Sequence, residues 1–154
     1  PPTSSEQVLH PEKYWDEETF DAPIAVEVPD RSETLGAGWS LVDTDTLGEL
    51  GCAMLVMKNV PTAMAVSMGS ARMAVPESSG WGGDQYRAYL HEDGRKVMQW
   101  STVWDTEFDA VEFAEALRNR GMERAPMMRR IDLQGNRVSV TFASDDAIAD
   151  LELL

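Results

Sequence analysis

The sequence predicts an α+β fold: an antiparallel sheet built from two β-hairpins, three or four helices on one face, and an extended, proline-containing N-terminal arm. Three observations carry this prediction. Two pairs of alternating runs are each joined by a short glycine turn, Glu92-Asp93-Gly94-Arg95 and Gln134-Gly135-Asn136, and such turns return a strand antiparallel to its neighbour. Helical spacing of apolar residues recurs before, between and after the two pairs. No nucleotide-binding strand–helix–strand crossover breaks the series.

Taken in order, residues 1–35 read as the arm and 36–154 as a single α+β domain. Pro1, Pro2, Pro11, Pro23 and Pro29 punctuate the arm, and acids cluster at Asp16-Glu17-Glu18. Ser4 or Ser5 caps a short helix to Leu9, because a serine followed by acid suits a helix start, and Pro11 ends it. Ala25-Val26-Glu27-Val28 alternates between prolines, so it is at best an edge strand. A proline-spaced segment loses less entropy on ordering than a flexible one, so the arm is expected to wrap this chain's own core or another protein.

Trp39 to Val42 forms a short strand, and Asp43-Thr44-Asp45-Thr46 offers several caps for a helix from about Leu47 to Lys58. A Met-rich helix follows from Ala63 to Ala74. Pro76 to Gly83 is loop. Tyr86, Ala88 and Leu90 alternate with Arg87, Tyr89 and His91, the period-2 pattern of a half-buried strand. The return strand, Lys96 to Trp104, puts Val97, Gln99, Ser101 and Val103 on one face and Met98, Trp100, Thr102 and Trp104 on the other. Asp105 or Thr106 caps a helix from Glu107 to Arg120 with Phe108, Val111, Ala114 and Leu117 on one stripe and Phe113 beside it; Gly121 stops it. The second hairpin joins Met128–Leu133 to Arg137–Phe142. Ser144 caps a last helix with Asp145 and Asp146 in its first turn, where the helix dipole favours them.

Composition narrows the partners. The chain of 154 residues carries a net charge of -14, with twelve acids against two basic residues in positions 1–50 and fifteen against eleven thereafter. That balance repels polyanions, so nucleic acid and anionic lipid are disfavoured. The one cysteine, Cys52, allows no internal disulfide and sits in an apolar run as an inert, buried thiol. No stretch approaches the ~20 apolar residues of a membrane span, and no signal peptide is present. The opening Pro1-Pro2-Thr3 suggests a mature or processed product from which any targeting segment has gone.

No constellation completes a reaction centre. Asp43-x-Asp45-x-x-Gly48-Glu49 resembles the start of a calcium loop, but Leu47 and Met54 stand where oxygen ligands are needed; helix capping accounts for it better. Gly80-Trp81-Gly82-Gly83 lacks the Lys-Ser/Thr and the helix of a phosphate loop and reads as a turn needing positive φ. His10 and His91, the only histidines, lack the spacing of a zinc site and read as hydrogen-bonded structural residues. The acid pairs Glu17/Glu18, Asp105/Glu107 and Asp145/Asp146 sit at caps and loops, not in an apolar cleft that raises one pKa. We therefore assign no catalytic, cofactor-binding or metal-binding residues. His10, Tyr14, Trp15, Trp81, Tyr89 and Trp100 are the candidate interaction residues: exposed aromatics make hot spots, and buried ones are simply core.

Four segments go beyond composition: Pro1 to Tyr14, Asp45 to Gly51, Gly80 to Tyr86, and Trp104-Asp105-Thr106-Glu107 with Asp109-Ala110 and Glu112-Phe113. Together they resemble the C-terminal region of a group of bacterial and archaeal exported proteins whose upstream region carries a zincin-like His-Glu-x-x-His helix. That helix is missing here, so no catalytic residue carries over. The resemblance implies a non-catalytic tail domain in an extracytoplasmic setting, periplasmic or at the cell surface. The resulting expectation is a structural or accessory subunit that docks on a larger protein assembly, with no small-molecule substrate. The alternative is the C-terminal part of a zinc-dependent peptidase, inactive without its upstream metal-binding region, with His10 and Glu12 lining a shared cleft. A third, weaker reading is a small-ligand or cation-binding module using the acidic first third.

Overall fold

The structure, a computed structural model, describes residues 1–58, 75–121, 123 and 125–146. It is an α+β fold around a five-stranded antiparallel sheet in the order β1-β2-β3-β5-β4. The strands are β1 (Trp39–Asp45), β2 (Trp81–His91), β3 (Lys96–Trp104), β4 (Met128–Gln134) and β5 (Arg137–Ala143). Both hairpins form where their turns place them, with Gly94 at φ 92° and Gly135 at φ 56°, backbone angles that only glycine adopts without strain. Tyr86 lies opposite Trp100 and Ala88 opposite Met98. The register therefore sends Trp100, Thr102 and Trp104 to one face and Gln99, Ser101 and Val103 to the other, as the alternation requires.

Two helices cover the tryptophan face: α4 (Gly48–Val56) and α5 (Glu107–Ala116). Phe113 of α5 meets Trp104 at 4.4 Å between ring centroids and Trp100 edge-on at 5.9 Å. Cys52, Val56, Ala110, Ala114, Leu117, Val138 and Val140 close the core around these rings. The buried stripe of α5 is thus Ala110, Phe113, Ala114 and Leu117, whereas Phe108 and Val111 of the expected stripe point outward. Both sets have helical spacing and an aromatic residue; the buried one packs Phe113 onto the two tryptophans.

Thr106 caps α5 with a complete capping box: its Oγ1 accepts from the Asp109 amide at 3.2 Å, and its own amide donates to Asp109 at 3.1 Å. Replacing Thr106 with Ala removes the Oγ1 that accepts from the Asp109 amide and leaves the backbone N–H bond to Asp109 in place, an expected loss of about 1 kcal/mol. In thermal unfolding this appears as a fall of about 2–4 °C. The helix ends in a π-helical turn, Leu117–Gly121. Gly121 does not take a positive φ. A Cβ there would meet the ends of the Leu117 and Met128 side chains, at 2.9 Å and 3.3 Å.

The arm lies on its own chain. It contains α1 (Ser5–Leu9), α2 (Glu12–Trp15) and α3 (Ser32–Leu35). Ser4 caps α1 by accepting from the Gln7 amide at 3.2 Å. Residues 24–35 cross the sheet face away from α4 and α5. There the Val28 amide donates to Gln85 at 2.8 Å and the Arg31 amide to the Tyr89 hydroxyl at 3.0 Å. Val26 and Val28 are buried, yet the segment joins no strand ladder. Pro23 and Pro29 remove two donors from it, and one backbone bond, Ile24 N–H to the Gly82 carbonyl at 2.6 Å, ties it to the sheet. Tyr89, Val97 and Ala143 form a smaller core with Leu35 and Trp39 on this face.

Two further expectations change. β1 runs on to Asp45, so Asp43 and Asp45 are strand residues and cap nothing. β2 begins at Trp81, so Gly82 and Gly83 are strand rather than loop, with a bulge between Trp81 and Gly83. The helix expected from Ala63 to Ala74, and most of the one expected after Ser144, lie outside the described residues. Ser144 itself closes the sheet's end, its amide donating to the Lys96 carbonyl at 3.0 Å and its hydroxyl accepting from the Lys96 amide at 2.9 Å.

Candidate functional site

The end of the sheet where β2 starts is the most polar part of the interior. Asp84 lies there on the helix-covered face, almost fully buried. Its Oδ1 accepts from the Gly48 amide, and its Oδ2 from the Leu47 amide and from the Trp100 indole N–H, each at 2.8 Å. The first turn of α4 has no side-chain cap of its own. A carboxylate on a neighbouring strand supplies it, placed where the helix dipole stabilises negative charge.

Beside this node the arm encloses a second set of charges. Lys13 on α2 donates to Glu6 of α1 at 2.6 Å and to Asp21 at 2.9 Å, and lies 3.5 Å from Asp105 at the end of β3. His10, just past α1, places Nε2 3.0 Å from Glu49 of α4 and Nδ1 3.7 Å from Glu12. Glu6 and Glu49 are each only 1% exposed, and the Oε2 atom of each has no hydrogen-bond partner. Glu6, Asp21 and Asp105 put carboxylate oxygens within 4.8 Å of one another, the one such set among the described residues. The Lys13 ammonium contacts all three, so the chain's own cation sits between them and offsets part of their charge.

Burial pushes the Glu6 carboxyl above its ordinary value against the opposing hydrogen bond from Lys13. Burial does the same to Glu49 against the hydrogen bond from His10, and to Asp105 against the attraction of Lys13. For Lys13 burial acts downward, but the bonds to Glu6 and Asp21 outweigh it and hold the amine charged. A lysine so held is no general base. His10 offers no zinc centre either. Its two nitrogens, on separate edges of the ring, face different carboxylates, and zinc needs three or four ligands around one point.

A cleft of about 610 Å³ opens next to this cluster, between residues 2–8, residues 23–26, the start of α4 and the start of β2. Ser5 and Val8 of α1 line it, but Glu6, His10, Lys13, Glu49 and Asp105 do not. Asp84, its one acidic wall residue, is fully engaged by three donors. The titratable groups and the accessible space are therefore separate. The charges act as a clasp between arm and domain: His10–Glu49 and Lys13–Asp105 cross from one to the other.

The candidate interaction residues divide accordingly. Trp81, Tyr89 and Trp100 are buried and form no docking face, because Trp81 and Trp100 belong to the main core and Tyr89 to the smaller one under the arm. His10 is committed to Glu49. Tyr14 packs edge-on against Trp15 at 4.6 Å. Trp15 remains 77% exposed, and Phe20, which sequence patterning passes over, 55% exposed. Asp84 is also missed by pattern alone, and so is the burial of Glu6 and Glu49; the one available signal is that each is an acid inside an otherwise apolar or capping stretch. The Cys52 thiol is buried and pushed well up by burial and then by the charges of Asp84 and Glu49. His91 is structural, bonded to Asp93 at 2.8 Å and packed on Trp39.

No helix among the described residues is long and apolar enough to cross a membrane. Compared with known proteins, residues 33–150 match the model of a family described as a domain of unknown function (DUF8575). No curated protein and no solved structure matches the chain.

Proposed function

The chain belongs to the DUF8575 family, and on that premise we propose that it is a non-catalytic docking domain. Its clasped arm presents Trp15 and Phe20 to a protein partner within a larger assembly. One observation carries the reading: among the described residues Trp15 is the tryptophan left exposed, while Trp81, Trp100 and Trp104 are buried. A large aromatic held in water on an ordered helix loses little entropy on binding and gains much area, which is how interface hot spots work. Asp16, Glu17 and Glu18, all exposed, follow it directly. The partner surface that fits is an apolar pocket rimmed by Lys and Arg. The resemblance of four segments to exported proteins supports an extracytoplasmic setting.

Placing a photo-reactive amino acid at position 20 and cross-linking in native extract identifies the partner. Trp15→Ala is then expected to weaken binding to that protein by about 30-fold, a hot-spot loss of about 2 kcal/mol, with thermal stability unchanged. A chain that stays monomeric and uncross-linked, or a partner indifferent to Trp15→Ala, removes the proposal.

A further inference from the structure

We propose that seating of the arm is proton-linked: the clasp tightens as the medium becomes mildly acidic and loosens toward neutral and alkaline pH. This deepens the docking reading only in its consequence, because Trp15 rides on the helix that carries Lys13; the clasp itself is a property of the isolated chain.

The geometry points to this in three ways. Glu6 is bonded within the arm by Lys13 and Glu49 across the joint by His10, and each has one oxygen bonded and one buried without a partner. Four carboxylates, Glu6, Glu49, Asp21 and Asp105, converge there against one ammonium, Lys13, and one imidazole, His10. Glu12 faces His10 from α2, and Asp84, on β2, adds a further negative charge near α4. The seated cluster therefore holds more negative charge than its own cations neutralise. A proton on an orphaned carboxylate oxygen relieves that excess, whereas lifting the arm relieves it by returning Glu6 and Glu49 to water.

The direction follows from linkage. Both carboxyls titrate above the ordinary 4.5 when the arm is seated and near it when the arm is lifted. The seated state therefore binds protons more tightly, and acid favours it. The gain appears as pH falls through the seated-state values and is complete below the lifted-state value. Asp105 acts in the same direction. Lys13 stays charged throughout this range. Elsewhere Asp30, Glu77 and Asp93 are held below their usual range and favour unfolding in acid, so global stability does not isolate the clasp.

Hydrogen exchange of the Ile24 amide, bonded to the Gly82 carbonyl across the joint, reads the seating locally. After correction for intrinsic rates, its protection is expected to rise as pH falls from neutral to below the ordinary glutamate value of 4.5. The rise is about tenfold for each carboxyl whose midpoint lies one pH unit higher with the arm seated than with it lifted. Glu6→Gln with Glu49→Gln flattens the profile. Carbon-13 titration of the two carboxyls in the wild type gives a second readout that needs no variant, with midpoints expected above those of exposed glutamates. Midpoints in the ordinary range, or wild-type protection that is flat or falls in acid, overturn the proposal. Docking is read separately: Trp15→Ala leaves the clasp profile unchanged, and loss of the profile leaves the Trp15 cross-link test standing.

Discussion

Asp84→Ala is expected to lower the unfolding free energy by about 3–5 kcal/mol, the largest effect of any single substitution at the candidate site. The change strips the acceptor from three donors at once: the Leu47 and Gly48 amides and the Trp100 indole N–H. Each buried donor left without a partner costs about 1–3 kcal/mol. The sum is not simply additive, because the three share one carboxylate and Leu47 is only partly buried, so the lower half of the additive range applies. Asp84→Asn keeps one acceptor oxygen and turns an amide N–H₂ toward at least one donor, so a loss of about 2–3 kcal/mol is expected. Urea unfolding separates the cases: the midpoint falls while the slope stays constant. If Asp84→Ala unfolds within about 1 kcal/mol of wild type, the start of α4 is not held by β2, and the account of the node fails.

That node also shows how far local pattern carries. The hairpins were legible because each writes its turn and its alternation into one short consecutive stretch, Trp81–Trp104 and Met128–Ala143. Thr106 was legible as a candidate cap because the box closes within one helical turn. Asp43-Thr44-Asp45-Thr46 carries the same kind of signal and misleads. Those residues pair with β2 instead, Asp43 opposite Ala88 and Asp45 opposite Tyr86, and Asp84 caps the helix from far along the chain. Capping chemistry is the same in both places, but only one of the two acids is brought to the helix end by tertiary structure. Glu6 and Glu49 follow this rule too. In sequence they are ordinary first-turn acids on short helices, and their burial comes from the arm folding back over α4, which no local spacing encodes. The aromatic set divides for a related reason: alternation sorts each strand's residues onto two faces, but does not tell that both faces are covered, one by helices and one by the arm.

Gly83→Ala is the sharpest expected test of that covering. Gly83 does not have a positive φ, so alanine suits its backbone, and any effect is steric. A Cβ there would collide with the carbonyl oxygen of Ile24 and lie 3.0 Å from its carbonyl carbon and 3.3 Å from its nitrogen. All three are backbone atoms of the arm and cannot turn aside as a side chain can. The neighbouring Gly82 provides the control. A Cβ at that position meets the Ile24 Cδ1 at 3.1 Å, the flexible end of a side chain, and its carbonyl still accepts from the Ile24 amide. Gly83→Ala is therefore expected to cost about 2–4 kcal/mol, at the upper end of overpacking penalties, and Gly82→Ala less than about 1 kcal/mol. The two should also differ in kind. Gly83→Ala expels residues 23–26 while leaving the β2–β3 hairpin in place, so amide exchange accelerates at Ile24 and Val28 but not at Val97 or Trp100. Equal and small effects from both substitutions would mean that the arm does not cross the sheet at Gly83. In that case Trp15 would no longer be held in a fixed position, and the low entropic cost on which the docking proposal relies would be lost with it.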